Sequence, residues 1–157
     1  MVKKILFVCL GNICRSPAAE GIFSQKIKER DLENFFVVDS AGTGNWHIGN
    51  LPDRRMRETA LSRGIELKSR SRQIEENDLY KFDQIIVMDK DNLKAVKSLI
   101  KDDMNSLNSK IKLILSYSQN CQFDEVPDPY YGGQNGFDQV IDLLDDAIDG
   151  LIDSLID

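Results

Sequence analysis

The chain has 157 residues, of which 41% are hydrophobic and 29% charged, and this balance is typical of a protein that folds around an apolar core. No apolar stretch approaches the roughly 20 residues that cross a bilayer. The six apolar residues at positions 5–10 are too few for a secretory signal, which predicts a cytoplasmic protein without a membrane partner. The net charge of −6 argues against nucleic acid as a partner, because duplex binding depends on cationic contacts to phosphate.

In chain order, the predicted elements alternate between strands and helices. Strands are predicted over residues 3–9, 35–38, 83–89 and 111–115, and helices from Ser16 and Pro17 onward and over 53–63, 90–101 and 137–156. This order predicts an α/β fold: a single-domain, three-layer sandwich spanning residues 1–157, with a central four-stranded, parallel, twisted sheet and helices on both faces.

The loop that follows the first strand is the first candidate for a binding site, because parallel sheets bind ligands beyond the carboxyl ends of their strands. Such a loop before a helix directs backbone N–H groups at an anion. Gly11 and Asn12 tolerate the unusual backbone angles that it needs, and Arg15 offers a planar set of donors. The predicted phosphate-binding residues are Leu10, Gly11, Asn12, Ile13, Cys14, Arg15 and Ser16.

Cys9 stands at the start of this loop, where the same positive field favours a reactive thiolate. A nucleophile beside a phosphate cradle is the arrangement required for covalent phosphoryl transfer. The alternative is a buried core cysteine at the end of a strand, which is the usual position of a free cysteine. His47 is the only histidine, and the spacing of Cys9 and Cys14 is not that of a zinc or thioredoxin-type site, so neither a histidine base nor a metal is expected.

Several segments together resemble the low-molecular-weight protein tyrosine phosphatases. The resemblance extends over essentially the whole chain, and it is carried by a signature loop, a general-acid segment and a third loop segment: Cys9-Leu10-Gly11-Asn12-Ile13-Cys14-Arg15-Ser16, Asp128-Pro129-Tyr130-Tyr131-Gly132 and Asp39-Ser40-Ala41-Gly42-Thr43. It implies a two-step reaction in which Cys9 attacks phosphotyrosine, Arg15 binds the phosphate, and Asp128 serves as general acid and then as general base.

The same resemblance implies supporting roles for other residues. Asn12, Ser16 and Ser40 support the loop, and Cys14 protects Cys9 by forming a disulfide with it under oxidants. The walls of the substrate pocket are Ile13, Trp46, Tyr130 and Tyr131, with His47 beside Trp46. The implied partners are phosphotyrosine-containing proteins, with inorganic phosphate as product. Neither a cofactor nor a metal is expected, and the protein is expected to be a monomer with at most weak self-association.

Three alternatives remain open from the sequence. Arsenate reductases of the same fold use two further cysteines in a segment corresponding to residues 80–90, which contains none here. A phosphate-binding module without turnover would not need Cys9 and Asp128. A thiol redox sensor using Cys9 and Cys14 would not need Arg15 or Asp128.

The charge is unevenly distributed along the chain. Residues 113–157 carry 10 of the 26 acidic residues and no Lys or Arg, so residues 1–112 carry all 20 basic residues. We interpret the acidic excess as the solvated outer face of the last helix. We also expect a locally cationic pocket mouth formed by Arg15, Arg54, Arg55 and Arg57, which would attract a dianionic substrate despite the overall negative charge.

Overall fold

A computed structural model describes residues 1–101, 105–120, 123–130 and 132–156. Four strands form one sheet: β1 (Lys3–Cys9), β2 (Phe36–Gly42), β3 (Gln84–Val87) and β4 (Ile111–Leu113). The helices are α1 (Arg15–Glu29), α2 (Arg54–Leu61), α3 (Asp78–Lys81), α4 (Lys90–Lys97), α5 (Asn105–Asn108) and α6 (Gln134–Leu155). Two 3₁₀ turns lie at Glu33–Phe35 and Ile114–Tyr117.

All neighbouring strands are parallel, and their order across the sheet is β2-β1-β3-β4. The predicted four-stranded parallel sheet is therefore confirmed. The chain leaves β1 toward one edge of the sheet and later returns through β3 toward the other. Ligands of such folds bind where this reversal leaves a crevice, which here lies beyond the carboxyl ends of β1 and β3.

The side chains of β1 separate two hydrophobic clusters, because successive side chains of a strand point to opposite faces. Ile5, Phe7 and Cys9 pack in the cluster that also contains residues of α1 and α6. Leu6 and Val8 pack on the other face, with residues that include Phe82, Val96 and Leu107. This alternation confirms helices on both faces of the sheet.

Several element bounds differ from the prediction. β2 runs through Ser40 and Ala41 to Gly42 instead of ending at residue 38, because each of these residues pairs in register with β1. α6 begins three residues earlier than predicted. The fourth strand ends at Leu113, where a 3₁₀ turn replaces the last predicted positions, and α4 ends at Lys97 instead of residue 101. Asp89, predicted inside the third strand, is the N-cap of α4, and its carboxylate accepts a hydrogen bond from the Asn92 amide at 2.7 Å.

The acidic face of α6 is only in part the solvated surface that the sequence suggested. Three cations from the first half of the chain bind it. Lys26 pairs with Asp145 and Asp149, Arg30 with Asp149 and Asp153, and Arg63 with Asp138 and Asp142. These carboxylates remain about half exposed or more, so each pair contributes roughly 0–1 kcal/mol. The charge asymmetry of the sequence thus joins α6 to α1 and to the end of α2.

None of the helices in the described ranges combines the length and the apolar character needed to span a membrane.

Candidate active site

The loop between β1 and α1 lies in the crevice at the reversal point of the sheet. Cys9 is the last residue of β1, and α1 begins at Arg15. Asn12 has a φ of 57°, a left-handed conformation that Asn tolerates better than most residues. Gly11 does not have the positive φ that the sequence suggested. The lack of a side chain at Gly11 instead leaves room for the His47 ring, which would lie 3.0 Å from a Cβ at this position.

The carbonyl groups of the loop are turned outward and hydrogen-bonded to its surroundings. The oxygens of Cys9 and Leu10 accept from the amides of residues 43 and 44, that of Ile13 from Asp53, and that of Gly11 from the Ser71 hydroxyl at 3.0 Å. In a trans peptide the carbonyl and the next N–H point in opposite directions. The amides that follow these carbonyls, those of residues 10, 11, 12 and 14, therefore point into the loop. We call this set of donors the cradle; its geometry suits an anion.

The N-terminus of α1 adds to this positive potential. The N-cap is Cys14, which makes no side-chain capping hydrogen bond, and the first turn contains no acidic residue. The first amides of a helix lack intrahelical partners and carry the positive end of its dipole. An anion in the loop would satisfy both features.

Cys9 lies at the bottom of this cradle and is 2% exposed. Its Sγ lies 3.0 Å from the hydroxyl of Ser16. The Asn12 side-chain amide donates to Ser16 at 2.8 Å and to Ser40 at 3.0 Å, and its own oxygen accepts from the Arg72 amide at 3.0 Å. The structure thus brings together the three residues that the resemblance assigned to loop support, and it connects them to the Cys9 sulfur.

Arg15 is 2% exposed and is held on one side by Asp89, whose Oδ2 lies 2.6 Å from Nη1. The same Nη1 donates to the carbonyl of Val126 at 3.0 Å, and Nη2 lies 3.5 Å from Asp128 Oδ2. Burial alone would lower the pKa of the Arg15 guanidinium, but the negative charges of Cys9, Asp89 and Asp128 raise it above its usual value. Arg15 is therefore a fixed cation beside the thiol.

Asp128 lies at the rim of the crevice, with its side chain 38% exposed. Its Oδ1 accepts a hydrogen bond from the Tyr130 amide at 3.0 Å. The Val126 amide donates to the Met88 carbonyl just beyond β3, at 2.9 Å, and this bond fixes the segment against the sheet. A carboxyl group 113 positions away from Arg15 in sequence is thus brought to the same site.

These groups surround a cleft of about 330 Å³. The predicted pocket residues Ile13, Trp46 and Tyr130 all line it, together with Cys9, Leu10, Gly11, Cys14, Arg15, His47 and Asp128. The His47 and Tyr130 rings lie 6.0 Å apart, and Trp46 is 68% exposed. Tyr131, predicted for the same wall, and Cys121 lie outside the described residues.

Of the four arginines expected to form a cationic mouth, only Arg15 lines the cleft. Among the described residues that line the cleft, Arg15 is the only cation. Arg54 is exposed and approaches Glu58 at 3.9 Å, and Arg57 donates to the Pro52 carbonyl. Arg55 pairs with Asp53 at 3.0 Å and donates to the Tyr130 carbonyl at 2.9 Å. Arg55 therefore fixes one wall of the cleft, and its positive charge also acts on the Cys14 thiol inside it.

Cys14 is a second free thiol in the cleft. Burial, with the negative charges of Asp53, Cys9 and Asp128, raises the pKa of the Cys14 thiol far above its usual value. The Cys14 thiol therefore stays protonated at neutral pH. Among the residues that the structure describes, no three His, Cys, Asp or Glu side chains cluster so that they could hold a metal ion.

Asp89 and Glu20 belong to the surroundings of the site, although the sequence did not indicate them. Asp89, which holds Arg15, was assigned to a strand, although an acidic residue just beyond a buried strand of a parallel sheet is a signal for a site. Glu20 accepts a hydrogen bond from Ser40 at 2.6 Å, one step behind the loop. A glutamate in the first turns of a helix is common and gives no sequence signal for this role.

Comparison with known proteins gives a consistent result. A model of the family described as low molecular weight phosphotyrosine protein phosphatase matches residues 4–157. A Synechocystis sp. relative named for the low molecular weight protein-tyrosine-phosphatases is 49% identical over 144 residues, which are 92% of this chain and 90% of the relative. A low molecular weight phosphotyrosine protein phosphatase of Schizosaccharomyces pombe is 41% identical over 90% of each chain.

Among solved structures, a protein tyrosine phosphatase from Entamoeba histolytica, with Hepes in its active site, superposes with a TM-score of 0.93. It is 42% identical, and the match covers 98% of this chain and 96% of that one.

Proposed function

Because the chain belongs to the low molecular weight phosphotyrosine protein phosphatases, a family of cysteine-dependent hydrolases, we propose that Cys9 is its nucleophile, Arg15 its phosphate-binding cation and Asp128 its general acid and base. One observation carries this assignment: a buried thiol, a buried guanidinium and a carboxyl group at the rim line a single cleft. The related Entamoeba histolytica phosphatase holds Hepes in its active site, and Hepes is a molecule that carries a tetrahedral sulfonate, which supports an anion-binding role for this cleft.

In the first step, the Cys9 thiolate attacks the phosphorus of a phosphotyrosine. The S–P bond forms as the bond from phosphorus to the phenolic oxygen breaks, and the Asp128 carboxylic acid gives its proton to that oxygen, so that tyrosine leaves. Arg15 and the inward amides bind the three equatorial oxygens and stabilise their charge in the transition state. The hydroxyl of Ser16, 3.0 Å from the sulfur, stabilises the thiolate before attack.

In the second step, the Asp128 carboxylate takes a proton from a water molecule whose oxygen attacks phosphorus. The S–P bond breaks, inorganic phosphate is released, and Cys9 returns to the thiolate with the proton on Asp128. Ser16 again stabilises the sulfur as it leaves. The fixed charge of Arg15 supplies the electrostatic stabilisation, so that the sequence of steps needs no cofactor.

We propose phosphotyrosine side chains of proteins as substrates. The apolar and aromatic walls at Ile13, Trp46 and Tyr130 support this, because a flat phenyl ring packs well against such groups. We propose that the enzyme acts as a monomer, because Cys9, Arg15 and Asp128 converge on one cleft within a single chain. A reducing compartment such as the cytoplasm suits a mechanism that needs Cys9 reduced, and Cys9 and Cys14 are both free thiols.

We also propose that Cys14 protects Cys9 from irreversible oxidation. A peroxide would oxidise the Cys9 thiolate to a sulfenic acid, and the Cys14 sulfur would displace water from it to form a disulfide that thiols can reduce. The shared cleft supports this pairing. Because the Cys14 thiol stays protonated, we expect disulfide formation to be slow at neutral pH and faster as the pH rises.

The test compares variants in the hydrolysis of a phosphotyrosine peptide under reducing conditions. Cys9→Ser should abolish turnover, and Asp128→Ala should lower kcat by about 100- to 10,000-fold. Asp124→Ala is the matched control, because Asp124 is exposed and pairs with Lys90 outside the cleft. Turnover that survives Cys9→Ser would contradict the assignment. The same peptide carrying phosphoserine should be a much poorer substrate.

A further inference from the structure

We propose that Glu20 is a positioning residue for the nucleophile, acting through Ser40, Asn12 and Ser16 on the sulfur of Cys9; this inference rests on the proposed role of Cys9. Glu20 is on α1 and does not line the cleft. Its carboxylate is the end of a continuous series of hydrogen bonds that reaches the sulfur.

The direction of each hydrogen bond follows from the donors available. An ionised carboxylate only accepts, so the hydroxyl of Ser40 donates its single proton to Glu20, at 2.6 Å. The Ser40 oxygen is then free to accept from the Asn12 amide nitrogen. Asn12 cannot turn its amide around, because its oxygen accepts from the Arg72 backbone amide.

The remaining N–H of the Asn12 side chain goes to Ser16, at 2.8 Å. Because the Ser16 oxygen accepts there, its own proton is left for another acceptor. Two acceptors are in range, the Cys9 sulfur at 3.0 Å and the Ala41 carbonyl at 3.4 Å. A thiolate is both closer and charged, so the hydroxyl donates to the sulfur.

If Glu20 were protonated, or replaced by a neutral residue, the donor and acceptor of each hydrogen bond in this series would no longer be fixed. The proton of Ser40 would lose its charged acceptor, and Ser40 could then compete with Asn12 instead of accepting from it. The effect would be a looser Asn12 and a Ser16 hydroxyl that divides its time between the sulfur and Ala41. The thiolate of Cys9 would be less stabilised, although no group in the cleft would have changed.

The surroundings of Glu20 change the balance between its charged and protonated forms. Burial, followed by the negative charge of Asp39, raises the pKa of Glu20, while hydrogen bonds from Ser40 and Ser69 and the charge of Arg72 oppose the shift. Glu20 also lines a groove of about 740 Å³ between α1 and residues 64–69. The other charged residues along that groove are Lys28, Glu29, Glu66 and Lys68. The carboxyl is therefore next to a groove distinct from the active-site cleft.

The experiment measures the reactivity of the Cys9 thiol directly. Wild type, Glu20→Gln and the matched control Glu29→Gln are alkylated with iodoacetamide over a range of pH, and the label on the Cys9 peptide is quantified by mass spectrometry. Glu29 is exposed on the same helix, so its substitution removes the same charge without touching the hydrogen-bond series.

We expect Glu20→Gln to shift the midpoint of Cys9 alkylation upward by about 0.5–1 pH unit and to lower kcat about threefold to tenfold, with KM little changed. Glu29→Gln should behave as wild type in both measurements. Ser40→Ala should shift the midpoint in the same direction, and adding Glu20→Gln to it should shift the midpoint no further, since the link is already broken.

A Glu20→Gln protein with a wild-type midpoint and kcat would overturn the inference. So would a loss of thermal stability without a change in the midpoint, because that is the signature of a merely structural role. If Glu20→Gln does not fold, Ser40→Ala decides, and an unshifted midpoint there overturns the inference equally. Failure of the proposed function is a separate result, namely turnover in Cys9→Ser.

Discussion

Asp89 provides a sharp test of how the site holds its cation. Its two carboxylate oxygens have separate tasks: Oδ2 lies 2.6 Å from the buried guanidinium of Arg15, and Oδ1 accepts from the Asn92 amide as the N-cap of α4. Asn at this position is as good a cap as Asp. Asp89→Asn therefore removes the ion pair and keeps the cap, whereas Asp89→Ala removes both.

The magnitudes follow from burial. A hydrogen bond to a charged group contributes about 1.5–3 kcal/mol, and breaking a buried pair is costly because the remaining buried charge is less well compensated. Arg15 is 2% exposed and Asp89 18%, and Arg15 keeps the Val126 carbonyl, so we expect Asp89→Asn to cost about 2 kcal/mol of unfolding free energy. Asp89→Ala should cost about 1 kcal/mol more through the lost cap. A guanidinium displaced by about 1 Å should also lower kcat/KM on the order of 100-fold.

The assay is urea denaturation together with steady-state hydrolysis of a phosphotyrosine peptide. Asp91→Asn is the control, because Asp91 is exposed in the first turn of the same helix. The reasoning is refuted if Asp89→Asn keeps wild-type stability and kcat/KM, or if Asn and Ala at position 89 destabilise the protein equally.

Two further predictions concern packing and pH. A Cβ at Gly42 would lie 2.8 Å from the carbonyl oxygen of Leu10. Gly42→Ala should therefore displace the cradle and lower kcat/KM on the order of 100-fold. Gly133→Ala is the control, because a Cβ there would have no neighbour within 4 Å, and its kcat/KM should equal that of wild type. Asp53 caps α2, and Asp53→Ala should cost about 1 kcal/mol at neutral pH in chemical denaturation. Burial acts to raise the pKa of Asp53, but hydrogen bonds from Arg55 lower it overall. The stabilisation by the charged cap is therefore complete above pH ~4, and it is lost as the pH falls through the lowered pKa. A difference in unfolding free energy that does not change with pH would contradict this.

The sequence predicted elements best where the pattern is local and strong. Residues 5–9 of β1 form a continuous apolar run, and the apolar side chains of α6 recur at helical spacing, so the sequence predicts both elements to within a few residues. The pattern did not predict the length of β2, because Ser40, Ala41 and Gly42 are strand residues only through their pairing with β1. Propensity says little about such positions, whereas the partner strand decides them.

The sequence also predicted which residues form the loop, because they are neighbours in the chain: Cys9, Asn12, Arg15 and Ser16. Residues that are distant in sequence were harder to predict. Asp128 and Ser40 were predicted through the family resemblance, whereas Asp89 and the contact of Arg55 with Tyr130 were not predicted. Asp89 reaches Arg15 across 74 positions, and Arg55 fixes Tyr130 across 75. Arginines near the site in sequence suggested a cationic mouth, but which charges are already neutralised by a carboxylate depends on tertiary contacts.

The most direct test of the central claim is to trap the covalent intermediate. Wild type and Cys9→Ser are mixed with a phosphotyrosine peptide, quenched in acid during turnover, digested and examined by mass spectrometry, and Asp128→Ala shows whether breakdown of the intermediate is slowed. We predict one phosphoryl group on Cys9 in the first and third proteins and none at position 9 in the second. A phosphoryl group on another residue, or turnover by wild type with Cys9 never modified, would contradict the assignment of Cys9 as the nucleophile.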